Sequence, residues 1–549
     1  MIKHFYKILS LVLFLLLSSQ IVRAGEFLLR PAKVEVFLNP GETANRDLLI
    51  KNRSSEAMYF KVEIEDIQGA KDGKEPVLLL GKEKGPYSLK NYLFVAIESF
   101  SLEPGEEINL PVEINLPESI GSCGLYGAVL ISGQTNSTSA EADLNLAGRA
   151  GALFFVKVEG TAEEAGKLES FKITDLSRFT KKGEAVFSIL YRNYGAVHLN
   201  PYGVIEISNL FGKQIAQIEI DPYFVLPNSL RQREKSWQKD LGFGYYKANL
   251  VLNLGYQDLI EERVVSFWVL PFEGLIAIAV ILLFIFGLLF LILTKRKLSK
   301  KAPLSILFFL FLSLSCIGFV KAQEMSSSNY KIQFDSINTE GGLVSTSNYR
   351  INDTIGESVS GVSDSTNYKI KAGYQQMQEV YISVAVPAGI AMSPSIKEQS
   401  GGVSNGSGGA TVITDSQSGY ILTLKASTAP ALQIATDSFA DYTPAAAGAP
   451  DFSWSIVDNT SEFGFTPEGS DIAQKFKDNG VVCNAGAGDT ASACWYNLST
   501  FEETIAQSTS ANHSAGAVTT LRFRAHSGEN HTQTAGNYQA SLTLTALAN

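Results

Sequence analysis

Hydrophobic and polar positions alternate with period two through most of the chain, as half-buried strands require. Between residues 25 and 160 the pattern is carried by KVEVFL (Lys33–Leu38), RDLLIKN (Arg46–Asn52), MYFKVEI (Met58–Ile64), INLPVEINLP (Ile108–Pro117) and YGAVLISG (Tyr126–Gly133). Turn residues separate them: Asn39-Pro40-Gly41-Glu42, Arg53-Ser54-Ser55 and Lys71-Asp72-Gly73-Lys74. The unit LNPGE at Leu38–Glu42 recurs as LEPGE at Leu102–Glu106, with Pro setting φ and Gly freeing the next step. Residues 166–271 repeat the style with FKITDL, AVFSILYRN, GVIEIS, QIAQIEI, YYKANLVLNL and RVVSFWVL. A third β-rich region, 378–549, carries VYISVAV, GATVIT, GYILTLKAS, TTLRFRA and YQASLTLTAL among Ala, Gly, Ser and Thr. The expected fold class is all-β: tandem immunoglobulin-like β-sandwiches at 25–160 and 166–271, then a C-terminal β-sandwich-like domain.

The alternation breaks in the middle. Gly274–Leu293 and Pro303–Val320 contain no charge, and Lys295, Arg296, Lys297, Lys300 and Lys301 lie between them. A helix over the first run would span roughly 30 Å, the thickness of a bilayer's hydrocarbon core. Residues 272–294 are therefore read as a transmembrane helix and 295–302 as a basic cytoplasmic loop. Both long flanks then lie on the extracytoplasmic side of the cell membrane. Residues 1–24 read as a signal peptide, with Lys3 and Lys7, an apolar run, and Val22-Arg23-Ala24 before a cleavage point after Ala24. Residues 303–322 end similarly in Val320-Lys321-Ala322. They are a second transmembrane helix, or an internal signal peptide cleaved after Ala322 to release 323–549 to the cell surface. The junction of two neighbouring reading frames is a third account.

Residues 323–377 hold a repeat: SSNYKI, TSNYRI and STNYKI place Tyr330, Tyr349 and Tyr368 at an interval of 19. That period suits one hairpin per unit and makes the three tyrosines candidate binding aromatics, although cross-strand packing explains them as well.

The chain's net charge of −10 falls almost wholly on residues 323–549, and no basic patch faces outward there. This excludes nucleic acid as a partner. Of the four cysteines, Cys483 and Cys494 could close a small disulfide loop in an oxidising compartment, or stay as buried thiols. Cys123 and Cys316 have no evident partner.

Motifs for chemistry are sparse. Gly402-Val403-Ser404-Asn405-Gly406 matches G-x-S-x-G, but its glycine- and serine-rich flanks predict a flexible hairpin loop and not a nucleophile elbow. His4, His198, His513, His526 and His531 lack metal-ligand spacing and are read as loop or surface residues. Acidic pairs such as Glu106-Glu107, Glu261-Glu262 and Glu502-Glu503 are read as solvated charges. No catalytic residue, cofactor or metal site is expected. Tyr191, Tyr194, Tyr202, Tyr223, Tyr245 and Tyr246 crowd the second block, and at most a third are expected to face solvent.

The element order also resembles a known family. An exported first sandwich with a PGE turn and Asn52-Arg53-Ser54 precedes a second with YRNYGAVHLNPYG (Tyr191–Gly203), VLPNSLRQREKSW (Val225–Trp237) and GFGYYKANLVLNLG (Gly242–Gly255). An apolar stem and basic tail follow. Residues 30–300 thus resemble the WxL-interacting proteins of Gram-positive bacterial surfaces, which pair a peptidoglycan-binding domain with a second Ig-like domain. Residues 323–549 resemble a WxL-type surface protein only in outline, with Trp454-Ser455-Ile456 standing where W-x-L is sought. The resemblance implies a non-catalytic, membrane-anchored surface protein that binds peptidoglycan or another wall glycan, another surface protein, or its own C-terminal domain, in adhesion or scaffolding. The alternative is an export or assembly chaperone whose Ig-like edge strands bind a client.

Overall fold

The computed structural model describes residues 25–135, 143–176, 182–240, 244–269, 340–345, 350–355, 361–364, 369–372, 379–387, 389–397 and 401–549. Ala24, Ala322, Cys316, Tyr330, Tyr349, Tyr368 and both uncharged runs lie outside them. Among the described residues no helix is long and apolar enough to cross a membrane. The described chain is all-β apart from two short 3-10 turns.

The first block contains β1 (Glu26–Arg30), β2 (Lys33–Leu38), β3 (Thr43–Asn52), β4 (Met58–Gln68), β5 (Leu78–Leu79), β6 (Leu93–Val95), β7 (Ser99–Leu102), β8 (Glu107–Asn115), β9 (Gly124–Thr135) and β10 (Leu144–Val158). The second contains β11 (Gly166–Leu176), β12 (Lys182–Asn193), β13 (Tyr202–Asn209), β14 (Gln214–Ile220), β15 (Ser229–Asp240), β16 (Gly244–Asn253) and β17 (Ile260–Val269). Two hairpins follow, β18 (Glu340–Ser345) with β19 (Arg350–Ile355) and β20 (Gly361–Asp364) with β21 (Lys369–Ala372). The C-terminal region adds β22 (Ile382–Ala385), β23 (Gly389–Ile390), β24 (Gly402–Thr414), β25 (Tyr420–Ala426), β26 (Ala440–Asp441), β27 (Ser461–Glu468), β28 (Tyr496–Asn497), β29 (Glu503–Ser508), β30 (Ala517–Ser527) and β31 (Ala540–Ala548).

The second block forms a sandwich of its own, β11-β12-β15 over β14-β13-β16-β17, around Phe187, Tyr191, Ile205, Trp237 and Leu250. The first and C-terminal blocks do not separate in this way. One sheet runs β26-β27-β30-β24-β22-β1-β3-β8-β6, and the other runs β29-β25-β31-β10-β9-β4-β5. Each crosses from one block into the other. A single apolar core likewise joins Phe27, Ile50, Phe60 and Phe154 to Val384, Val412, Leu422, Phe465 and Leu544. The expected free-standing C-terminal domain is thus one half of a sheet pair shared with the first block. Its own strands leave β31 and β22 needing neighbours, and β10 and β1 supply them.

The G-x-S-x-G segment departs from its expectation as a loop. Gly402–Thr414 is a continuous strand paired with β30 from Gly402↔Ser527 to Val412↔Ala517. Its glycines permit close packing. A Cβ on Gly408 would lie 2.7 Å from Ile390 Cδ1, and one on Gly406 would lie 2.7 Å from Met392 Sδ. Ser404 is buried in this strand, with no helix following to form an elbow.

Gly408→Val is expected to lower stability by about 1–3 kcal/mol through overpacking against Ile390. Gly409→Ala, whose Cβ would meet only Val518 Cγ1 at 3.5 Å, should be far milder. Thermal unfolding of the two variants side by side checks the difference.

Candidate functional site

The feature that ties the blocks together is one strand. β10 reads LNLAGRAGALFFVKV, and its side chains are buried along nearly its whole length. Its first half, Leu144–Gly151, pairs in parallel with Ala540–Leu547 of β31. On its other side Gly148–Lys157 pairs antiparallel with β9, while Leu153–Val158 pairs in parallel with β2. Without β10, β31 would be paired on one side only, by β25. Its other row of N–H and C=O groups would then be open, the condition that makes an edge strand stick to other chains.

Alternation sorts the side chains of β10 onto two faces. Leu144, Leu146, Ala150, Ala152, Phe154, Val156 and Val158 enter the shared core. Leu153 and Phe155 face the opposite way and meet Tyr126, Phe224, Leu226, Ile421 and Leu547. The middle of the strand is small because the neighbours crowd it. A Cβ on Gly151 would sit 2.3 Å from Leu547 Cδ2 and 2.8 Å from Leu130 Cδ2. Just ahead of the strand, Asp143 accepts the Met392 N–H at 2.7 Å, and its carbonyl accepts the Ala540 N–H at 3.0 Å. β1 makes the matching contact in the other sheet, with Glu26↔Ala385 through Leu29↔Ile382, and the Ser383 hydroxyl donates to Phe27 O at 2.9 Å.

A buried charge sits at the seam. Arg149 is 2% exposed; its Nε donates to Thr545 Oγ1 at 2.9 Å and its Nη1 to Glu65 Oε1 at 3.1 Å. Its Nη2 pairs with Glu502, which also takes Lys425 at 3.0 Å and the Thr423 hydroxyl. Glu65 belongs to the first block and Glu502 to the C-terminal one, so a single guanidinium neutralises a carboxylate from each. Glu502 is therefore not the solvated charge expected from the sequence. Glu503 pairs with Lys475, and Glu261 accepts the Leu168 N–H at 2.7 Å.

The second sandwich is clamped against this seam. The Tyr126 hydroxyl accepts the His198 backbone N–H at 2.6 Å and lies 3.2 Å from Nδ1, while Nε2 lies 2.8 Å from Glu35 Oε1. His198 is buried, which corrects its reading as a loop or surface residue. Burial pushes the Glu35 carboxyl up, but the His198 hydrogen bond and the Lys33 ammonium outweigh it and hold the group down at about 2. Burial lowers Lys33 itself, against the pull of Glu35. Beyond the clamp, Arg233 reaches the C-terminal block, donating to Ser418 O at 3.1 Å and Thr509 O at 3.4 Å. Arg231 donates to Phe224 O at 2.5 Å, and both guanidinia lie against the Tyr223 ring. Burial and the neighbouring Arg233 lower Arg231 to about 9.

The other residues singled out in the sequence take varied places. Cys483 and Cys494 are joined in a disulfide, with their Cα atoms 5.7 Å apart, whereas Cys123 is free. Trp454 stacks on Tyr442 at 4.3 Å and donates to His526 Nδ1 at 3.1 Å, so it is part of the packing. His513 bonds to the Tyr381 hydroxyl. Of the six tyrosines singled out in the second block, Tyr194 and Tyr202 are exposed, Tyr245 is half-buried, and Tyr191, Tyr223 and Tyr246 are buried. Among the described residues no group of three or more His, Cys, Asp or Glu is placed to hold a metal ion. The residues that matter most, Leu144 to Gly151, were not singled out from the sequence. The available signal was the continuous run of small and apolar residues Ala150–Val156 in the same strand, which marks burial on both sides.

No family model matches the chain, and no curated protein matches it. Among solved structures it is similar to the class 5 fimbriae chaperone CfaA, at 15% identity over 45% of this chain and 99% of that one, with a TM-score of 0.23. It is also similar to the CsuC–CsuE chaperone–tip adhesion subunit pre-assembly complex from Acinetobacter baumannii, at 9% identity over 44% and 97%, TM-score 0.23. A third is the Salmonella enterica SafA pilin in complex with the SafB chaperone, at 14% over 44% and 96%, TM-score 0.22. At that level of superposition, the meaning of the site rests on its own strands and side chains.

Arg149→Met is expected to destabilise the chain by about 3 kcal/mol, because it leaves the buried Glu65 carboxylate without its cation and takes one of two cations from Glu502. Glu63→Gln, which removes a half-exposed partner 3.7 Å from Arg149, should change little. Denaturant unfolding of both variants measures the contrast.

Proposed function

We propose that the first two sandwiches form an assembly-chaperone module and that the C-terminal block is its client, carried on the same chain. The observation that supports this most is the parallel pairing of Leu144–Gly151 with β31, which completes a client sheet with a strand from outside it. Peptide and subunit recognition by strand addition draws affinity from main-chain hydrogen bonds and specificity from alternate side chains. Here Leu144, Leu146 and Ala150 supply the alternate side chains. The strand that β10 adds to β31 supports this role over wall-polymer binding. The module binds and holds; it performs no chemistry. A membrane span at 272–294 tethers it, and the tether raises the local concentration of client at the groove. Cleavage after Ala322 would leave the same interface between two chains, because every contact at the seam is non-covalent.

Residues 1–302 and 303–549, produced as two exported chains, test the reading. The expected result is recovery of both in one complex, with residues 303–549 poorly soluble when made alone. Ala150→Arg in the first chain should cut recovery of the complex at least tenfold. A C-terminal chain that folds alone and ignores the first would overturn the proposal.

A further inference from the structure

The second sandwich carries an apolar end whose position was not evident from the strand pattern. β13 and β14 are joined by a turn at Asn209–Lys213 that bonds to itself: Asn209 Oδ1 accepts the N–H groups of Phe211 at 3.0 Å and Lys213 at 3.1 Å. Asn209 also exchanges backbone hydrogen bonds with Gly212 and Lys213, and Gly212 takes φ +76°. This turn holds Leu210 and Phe211 outward, 61% and 90% exposed. Turn tips are ordinarily polar, and two large apolar side chains displayed there need an occupant for the surface.

Sheet register shows what lies beside them. Asn209 pairs with Tyr246, Tyr246 with Phe267, and Gly244 with Val269. The tip thus shares one end of the sheet with Tyr245 and Trp268, whose rings lie 5.2 Å apart, and Trp268 is 51% exposed. The chain leaves this same end at Val269, and only Leu270, Pro271, Phe272 and Glu273 separate it from the uncharged run beginning at Gly274. Five extended steps reach at most roughly 17 Å. On this sheet residues 208–214, 244–247 and 266–269 include exposed Lys213 and Lys247 and no carboxylate, while the facing sheet brings Asp175, Glu184 and Asp240 together with Lys182 and Lys239 to the same end.

We propose that this end of the second sandwich rests in the headgroup region of an anionic lipid bilayer, with Leu210, Phe211 and Trp268 as its apolar contacts. The inference rests on reading residues 272–294 as a membrane span. It adds that the sandwich is docked on the bilayer and not merely tethered above it. Aromatic side chains favour the membrane interface, and lysines beside them favour anionic headgroups. Such docking fixes the direction in which the seam between β10 and β31 faces.

The test uses the full chain with Cys123→Ser and Cys316→Ser, reconstituted in phosphatidylcholine–phosphatidylglycerol vesicles. An environment-sensitive fluorophore is attached at Phe211→Cys or, at the other end of β13, at Tyr202→Cys. Tyr202 is exposed and lies about 25 Å away along the strand. The proposal expects blue-shifted emission at position 211, with quenching by headgroup-proximal nitroxide lipids several-fold stronger than at 202. Vesicles that float with the protein but leave both labels equally in water would overturn the docking while sparing the span. Protein that does not float with vesicles would overturn both.

Discussion

An open strand edge is the constraint on which this structure depends. β31 is buried, apolar and bonded to β25 on one side, and its second row of backbone groups must find partners. An unpaired buried amide or carbonyl costs about 1–3 kcal/mol, and several in a row would outweigh the marginal stability of a domain this size. β10 meets the need by lying alongside in parallel from Leu144 to Gly151. It remains anchored in its own sandwich through β9 and β2. Because β10 lies in the one core that the two blocks share, neither block can be packed independently of the other.

Two further features make the seam selective. Alanine and glycine in the middle of β10 let the sheets approach closely, so a larger residue there meets Leu547 or Leu130 before the strands can pair. Arg149 adds a charge requirement, since it is matched only when Glu65 and Glu502 arrive from the two blocks together. Backbone pairing alone would accept almost any strand; small residues and a buried ion network restrict the choice. Arg233, held by the second sandwich, extends the same contact to the carbonyls of Ser418 and Thr509.

Much of the all-β character was legible in period-two segments such as KVEVFL and MYFKVEI, which are strands β2 and β4. β10 escaped notice because strands buried on both faces lose the alternation that reveals them. The GVSNGSGG stretch misled for the opposite reason: its glycines suggest a loop, yet they serve close packing against Ile390 and Met392 within β24. His198 and Glu502 were read as solvated, since no local pattern says that Glu35 and Arg149, distant in sequence, will reach them. The sharing of two sheets between the chain's ends is a long-range property, set by which edges are left unpaired.

Hydrogen exchange resolved to single amides in β10 and β31 tests the central claim most directly. If β10 completes the client sheet, amides of Leu144–Gly151 and of Leu542–Leu547 will be protected together and will open as one unit. Rapid exchange in the first half of β10 at the rate of a free loop, with β31 still protected, would contradict it.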